Sequence, residues 1–111
     1  MNKIQEQILQ ECFALEDLQK LLKKSSKDIT IIDVRSQEEY VEKHIPAAIN
    51  IPLGELQARS KELPIDSIII TVCGKGGGRS AEAAVLLKKS GFSKANYLCG
   101  GTFGWFDLVP F

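Results

Sequence analysis

Two stretches of the chain are apolar at almost every position: Ile29-Thr30-Ile31-Ile32-Asp33-Val34 and Ile68-Ile69-Ile70-Thr71-Val72. β-branched side chains dominate both, which favours extended backbone. A nearly continuous apolar run marks a strand buried on both faces, as in a parallel sheet. Around these runs the spacing becomes helical. Leu15, Leu18, Leu21 and Leu22, with Lys and Gln between them, predict an amphipathic helix over 15–24, broken by Ser25-Ser26-Lys27-Asp28. Ser36 with Glu39 three residues later forms a capping box and predicts a short helix over about 37–42. Residues 49–51 have room for only a very short strand before Pro52, and Leu53, Leu56 and Leu63 suggest a helix near 53–62. Ala81, Ala84, Val85 and Leu87 continue as a helix over 80–90, stopped by Gly91. Residues 96–98 form a short strand, Gly100-Gly101 turn the chain, and Phe103, Trp105, Phe106 and Leu108 lie on a closing apolar segment. At the other end, 2–10 reads as a weak helix or leader and 11–14 as a short edge strand. Strands alternating with helices give an α/β sandwich around a mostly parallel sheet.

Composition narrows the class. The chain has 111 residues without repeats or linkers, so 1–111 reads as one domain. Lys+Arg and Asp+Glu are 14 each, so no global field recruits nucleic acid or an acidic membrane. No apolar run approaches the ~18 residues of a membrane span. Residues 1–6 carry no apolar signal region, which together with the cysteine usage points to a cytoplasmic location. Cys12, Cys73 and Cys99 are an odd number at no framework spacing, which argues against a disulfide scaffold and for a reducing compartment. One His and no Cys-x-x-Cys give no zinc pattern, so no metal site is expected.

The chemistry concentrates in Val72-Cys73-Gly74-Lys75-Gly76-Gly77-Gly78-Arg79-Ser80. A buried strand ends at a cysteine, a glycine loop follows, and a helix begins. Loop amides with few Cβ atoms in the way can turn inward as an anion-binding nest. The helix points its positive end at the same place. Both effects favour thiolate over thiol. Cys73 is therefore the candidate nucleophile, and Gly74, Lys75, Gly76, Gly77, Gly78, Arg79 and Ser80 are the candidate substrate-binding residues. Nucleotide loops fail on identity: a dinucleotide fingerprint needs Gly where Arg79 stands, and a P-loop needs Gly-Lys-Ser/Thr where Lys75 is followed by Gly76. Ligands of open α/β sheets sit beyond the carboxyl ends of the strands. Asp33-Val34-Arg35 and Cys99-Gly100-Gly101 should reach the same edge as Cys73. Asp33 and Arg35 read as a structural ion pair, His44 as a brace at the sheet edge, Trp105 and Phe106 as core or pocket wall, and Cys12 as a buried apolar residue. Cys99 reads as a space-filling thiol under Trp105, with a resolving thiol for Cys73 as the sharper alternative.

Four blocks in order, spanning about 12 to 108, resemble a single-domain rhodanese, the sulfurtransferase fold. They are Ile32-Asp33-Val34-Arg35 with Glu38-Glu39-Tyr40; His44-Ile45-Pro46-Ala47-Ala48-Ile49-Asn50-Ile51-Pro52; the Cys73 loop with Arg79-Ser80; and Leu98-Cys99-Gly100-Gly101 with Trp105. The resemblance implies a rhodanese-like three-layer sandwich: a five-stranded, mainly parallel sheet with helices on both faces. It implies that Cys73 carries a persulfide, taking sulfane sulfur from a small anionic donor such as thiosulfate, or from a persulfide, and giving it to cyanide, a thiol or a protein persulfide acceptor. No cofactor is implied. Lys43 and Ala47 stand where the family usually has glycines. The active loop also departs from the usual Cys-x4-Arg: Cys73 to Arg79 is Cys-x5-Arg, the spacing of the cell-cycle phosphatases and arsenate reductases on the same fold. Phosphatase or arsenate reductase chemistry is therefore the alternative, although Val72 stands where those phosphatases carry His and the loop holds no Asp or Glu. A binding module without catalysis is disfavoured because Cys73 and Arg79 are both present.

Overall fold

The computed structural model describes residues 12–108. The two apolar runs form β1 (Ile29–Asp33) and β3 (Ile68–Val72), paired in parallel from Ile29 opposite Ile68 to Asp33 opposite Val72. β2 (Ile49–Asn50) lies parallel on the outer side of β1, and β4 (Ala95–Tyr97) lies parallel beside β3. The order is β2-β1-β3-β4, with every pairing parallel. Among the described residues the sheet has four strands rather than the expected five. The fifth position is a single parallel bridge between Phe13 and Leu98, flanked by bonds from the Phe13 amide to Tyr97 O (2.7 Å) and from the Cys99 amide to Phe13 O (2.9 Å). Of residues 12–14 only Phe13 pairs, because the chain enters a helix at Leu15; residue 11 lies outside the described residues. The proposed element at 2–10 lies outside the described residues.

The described residues also form the helices α1 (Leu15–Ser25), ahead of β1, α2 (Gln37–Glu42), α3 (Leu53–Arg59) and α4 (Arg79–Lys89) between strands, and α5 (Gly101–Leu108) after β4. α2 begins at the expected capping box, with Ser36 and Glu39 bonding reciprocally. α3 is shorter than expected and tightens into a 3-10 turn at Ser60–Glu62. The period of two along each strand divides the core. Ile32, Val34, Ile69 and Cys73 pack with Leu56, Ala83 and Leu87, which places α3 and α4 on one face. Ile31, Ile70 and Val72 pack with Leu18, Leu98 and Trp105, which places α1 and α5 on the other. The alanines of α4 let it lie close to the sheet, and Thr71 Oγ1 ties β3 to it through Ser80 O at 2.7 Å. Trp105 is thus core rather than pocket wall. His44 stacks on Tyr40 with ring centroids 3.8 Å apart and bonds Tyr40 O through Nδ1 at 2.8 Å, contacts that tie it to the end of α2 rather than to the sheet edge. Ala47, in the place of a family glycine, adopts φ 74°, a left-handed conformation that its Cβ disfavours by about 1–2 kcal/mol.

The cysteines require a correction. Cys12 and Cys99 form a disulfide across 87 residues, with Cα atoms 5.0 Å apart. Cys12 is therefore not a lone apolar filler, and Cys99 is not a free thiol facing Cys73. Cys73 is the free, buried cysteine. The inference of a reducing compartment from unpaired cysteines loses its premise, because a spacing rule cannot see that Phe13 and Leu98 pair and bring their neighbours together. Among the described residues, no helix is long and apolar enough to cross a membrane.

Candidate active site

β3 delivers Cys73 to the carboxyl edge of the sheet, between the ends of β1 and β4. Its side chain falls on the α4 face and is 6% exposed. The thiol donates to Gly77 O at 3.0 Å and to Ser80 Oγ at 3.2 Å, and the Ser80 hydroxyl also reaches Gly77 O at 3.0 Å. When the thiol ionises it can no longer donate, and a rotation of the Ser80 hydroxyl turns that group into a donor to sulfur. Gly76, Gly77 and Gly78 have φ of 86°, 78° and 51°, three consecutive left-handed residues that wind the loop tightly. The backbone amides of residues 74–78 donate to no protein acceptor among the described residues. The loop lies next to the first turn of α4, and Gly77 turns its carbonyl to the Cys73 sulfur.

The loop is fastened from the β4 side by backbone alone. The first amides of α5 would otherwise lack partners. Here Thr102 N donates to Cys73 O at 2.9 Å and Phe103 N to Gly74 O at 3.0 Å. The approach is close enough to demand glycine. A Cβ at Gly101 would lie 2.5 Å from Cys73 O, and one at Gly76 would lie 2.6 Å from Gly100 N. The Phe103 ring, 48% exposed, lies over Gly74 at the rim.

The β1 side is ionic. Asp33 and Arg35 form a buried pair: Arg35 Nε and Nη2 donate to the Asp33 carboxylate at 2.9 and 2.7 Å, and the Arg35 amide joins at 3.1 Å. Arg35 Nη2 also donates to Lys43 O at 2.6 Å. The hydrogen-bonded Asp33 carboxylate raises the Arg35 pKa further above its ordinary value. This is the structural ion pair expected from the sequence. Above it, Arg79 forks onto Glu39, with Nη1 to Oε1 at 3.0 Å and Nη2 to Oε2 at 3.3 Å. Glu39 Oε1 also accepts from the Ser36 amide and hydroxyl, both at 3.1 Å. The Arg79 hydrogen bond, with help from the Ser36 amide, holds the Glu39 carboxyl down at about 2. Reciprocally, Glu39 raises the Arg79 pKa. Lys75 is exposed and in no ion pair among the described residues.

Cys73, Gly74, Lys75, Gly76, Gly77, Gly78, Arg79 and Ser80 thus form one continuous loop and helix start. Arg79 faces a carboxylate that the sequence presented only as a helix cap. Glu39 and the Phe103 rim are the site residues that sequence reasoning missed. The capping box located Glu39 on α2, but no local pattern links it to a residue forty positions on.

Residues 14–108 match the family described as the rhodanese-like domain. A putative sulfur carrier protein from Bacillus subtilis, YrkF, is 41% identical over 81 residues, which are 73% of this chain and 43% of that protein. The chain therefore spans less than half the length of that relative. The thiosulfate sulfurtransferase GlpE of Coxiella burnetii is 33% identical over 79 residues, 71% of this chain and 73% of that protein. The solved structure of the human single-domain sulfurtransferase TSTD1 superposes with a TM-score of 0.79 at 26% identity, covering 89% of this chain and 97% of that one.

Proposed function

The chain belongs to the rhodanese-like domain family, and on that premise we propose that it is a sulfurtransferase that carries sulfane sulfur on Cys73. The observation that carries the reading is the Cys73 sulfur at the end of β3, beside a loop whose amides at 74–78 have no protein acceptor among the described residues. The thiol first loses its proton to solvent. The thiolate attacks the outer sulfur of thiosulfate; a new S–S bond forms, the donor's S–S bond breaks, and sulfite leaves with the bonding pair. The Cys73 persulfide lies among the loop amides and the Ser80 hydroxyl, which suit a sulfur anion. An acceptor thiolate or cyanide then attacks the terminal sulfur and returns Cys73 as thiolate, giving ping-pong kinetics. Lys75 and Arg79 supply positive charge for an anionic donor. None of these steps calls for a metal or organic cofactor. Partners of this kind are a small anionic sulfur donor and a thiol or protein persulfide acceptor.

The Cys-x5-Arg spacing supports a second reading, phosphatase or arsenate reductase. Phosphoryl transfer wants a general acid for the leaving group. On the β1 flank of the loop both carboxylates are engaged, Asp33 by Arg35 and Glu39 by Arg79. That favours sulfur transfer.

Thiosulfate–cyanide transfer and aryl-phosphate hydrolysis, run on one preparation, separate the two readings. Sulfur transfer that disappears in a folded Cys73→Ser variant is the expected result. Parental turnover of thiosulfate by that variant removes Cys73 from the mechanism, and phosphate hydrolysis without sulfur transfer selects the alternative.

A further inference from the structure

Among the described residues, Lys75 and Arg79 of the Cys73 loop and Arg35 on its β1 flank are cationic, and the two arginines are already neutralised. Arg35 is buried against Asp33. Arg79 is forked onto Glu39. The latter pair stands at the mouth, with the Arg79 and Glu39 side chains 46% and 41% exposed. Exposed pairs of this kind add little to stability, about 0–1 kcal/mol. The pair is nevertheless well ordered, because Glu39 is fixed before Arg79 meets it: its carboxylate closes the capping box on Ser36 at the start of α2. α2 thereby presents a carboxylate to the planar fork of Arg79, the same two N–H groups that a thiosulfate or phosphate oxygen pair would use.

We infer that Glu39 is a specificity-determining residue, an internal carboxylate that occupies Arg79 and biases the site toward sulfur donors of single charge over doubly charged oxyanions. The inference rests on the sulfurtransferase reading and names its substrate class. With Glu39 in place the mouth presents Lys75 as its unneutralised cation among the described residues, together with loop amides that have no acceptor among them. That matches an organic persulfide, whose charge sits on one sulfur. A dianion must displace Glu39 from Arg79 to gain the fork, and the freed carboxylate then repels it. Phe103 at the rim, exposed and lying over Gly74, adds an apolar contact suited to the organic part of such a donor.

Glu39→Gln tests this, since the amide keeps the length of the side chain and part of the cap while removing the charge. Thiosulfate binding is measured by calorimetry in a Cys73→Ser background, where no transfer obscures it. The expected result is about tenfold tighter binding when Glu39 is replaced, the scale of one charge-assisted hydrogen bond. Adding Arg79→Gln should abolish the gain. In the Cys73 protein, Glu39→Gln should raise kcat/KM for thiosulfate about tenfold relative to kcat/KM for the persulfide of 2-mercaptoethanol, chiefly through KM. Unchanged or weaker thiosulfate binding in the folded Glu39→Gln protein overturns the inference and makes Glu39 a simple aligner of Arg79. Absence of sulfur transfer in the parental protein sinks the functional reading by itself, while the calorimetry still decides whether Glu39 competes with anions for Arg79.

Discussion

The cysteine loop has two flanks built from different physics. On the β4 side, glycine backbone lies directly against it: Gly101 on Cys73 O, Gly100 on Gly76, and the α5 amides on the carbonyls of Cys73 and Gly74. Just before these glycines, Cys99 is bonded to Cys12. On the β1 side the contacts are charged side chains, stacked from the buried Asp33–Arg35 pair outward to the exposed Glu39–Arg79 pair. Packed backbone has almost no alternative arrangement, so the β4 flank fixes where the sulfur sits. Ion pairs near water can exchange partners at small cost, so the outer β1 flank is where charge at the mouth can be set.

If that division holds, the largest stability losses should come from the β4 flank and from the buried half of the β1 flank. Cys12→Ser removes a crosslink closing 87 residues. By loop-closure entropy it should destabilise by about 2–5 kcal/mol. Urea unfolding of oxidised parental protein, reduced parental protein and the variant checks this. The reduced parent should fall to the level of the variant, and equal midpoints for all three would show that the bridge does not form in solution. Asp33→Asn comes next. Asp33 is fully buried and Arg35 nearly so, so the substitution leaves a buried guanidinium without its counter-charge. The expected loss is about 3–5 kcal/mol, with sulfur transfer per folded molecule largely retained. A variant of parental stability lacking activity would invert the division and put Asp33 in the chemistry.

The two flanks also differ in how much of them the sequence reveals. Ile68 to Val72, Cys73 and the glycines announce a buried strand, a thiol at its end and a left-handed loop into a helix because each signal is local: β-branching, then φ freedom, then helix spacing. Asp33 and Arg35 are two residues apart, so their pairing is legible too. The Cys12–Cys99 bridge depends on a strand position represented by Phe13 alone, and one residue carries no period-two pattern. The fork of Arg79 onto Glu39 depends on α2 and α4 meeting across the sheet edge, which no spacing reports. The fold class comes through because the periodicities of adjacent residues fix it. The electrostatic state of the mouth does not, because it is set between elements.

The smallest expected effect belongs to the outer ion pair, and its sign follows from the shifted group. Glu39 titrates at about 2 in the folded protein, below the ordinary 4.5, chiefly because Arg79 and then the Ser36 amide bond its charged form. A depressed carboxylate binds its proton more readily in the unfolded chain. Its stabilisation is therefore complete above about pH 5 and is lost as pH falls toward 2. With both side chains nearly half exposed, solvent and salt screen the pair, so the amount should stay under about 1 kcal/mol at physiological ionic strength. Other carboxylates titrate in the same range, so the useful quantity is a difference. Subtracting the stability of Glu39→Gln from that of the parent across this window should leave a curve that falls with acidity and flattens in 1 M salt. A flat difference would mean that Arg79 does not rest on Glu39 in solution, and the mouth would then present its guanidinium to anions without competition.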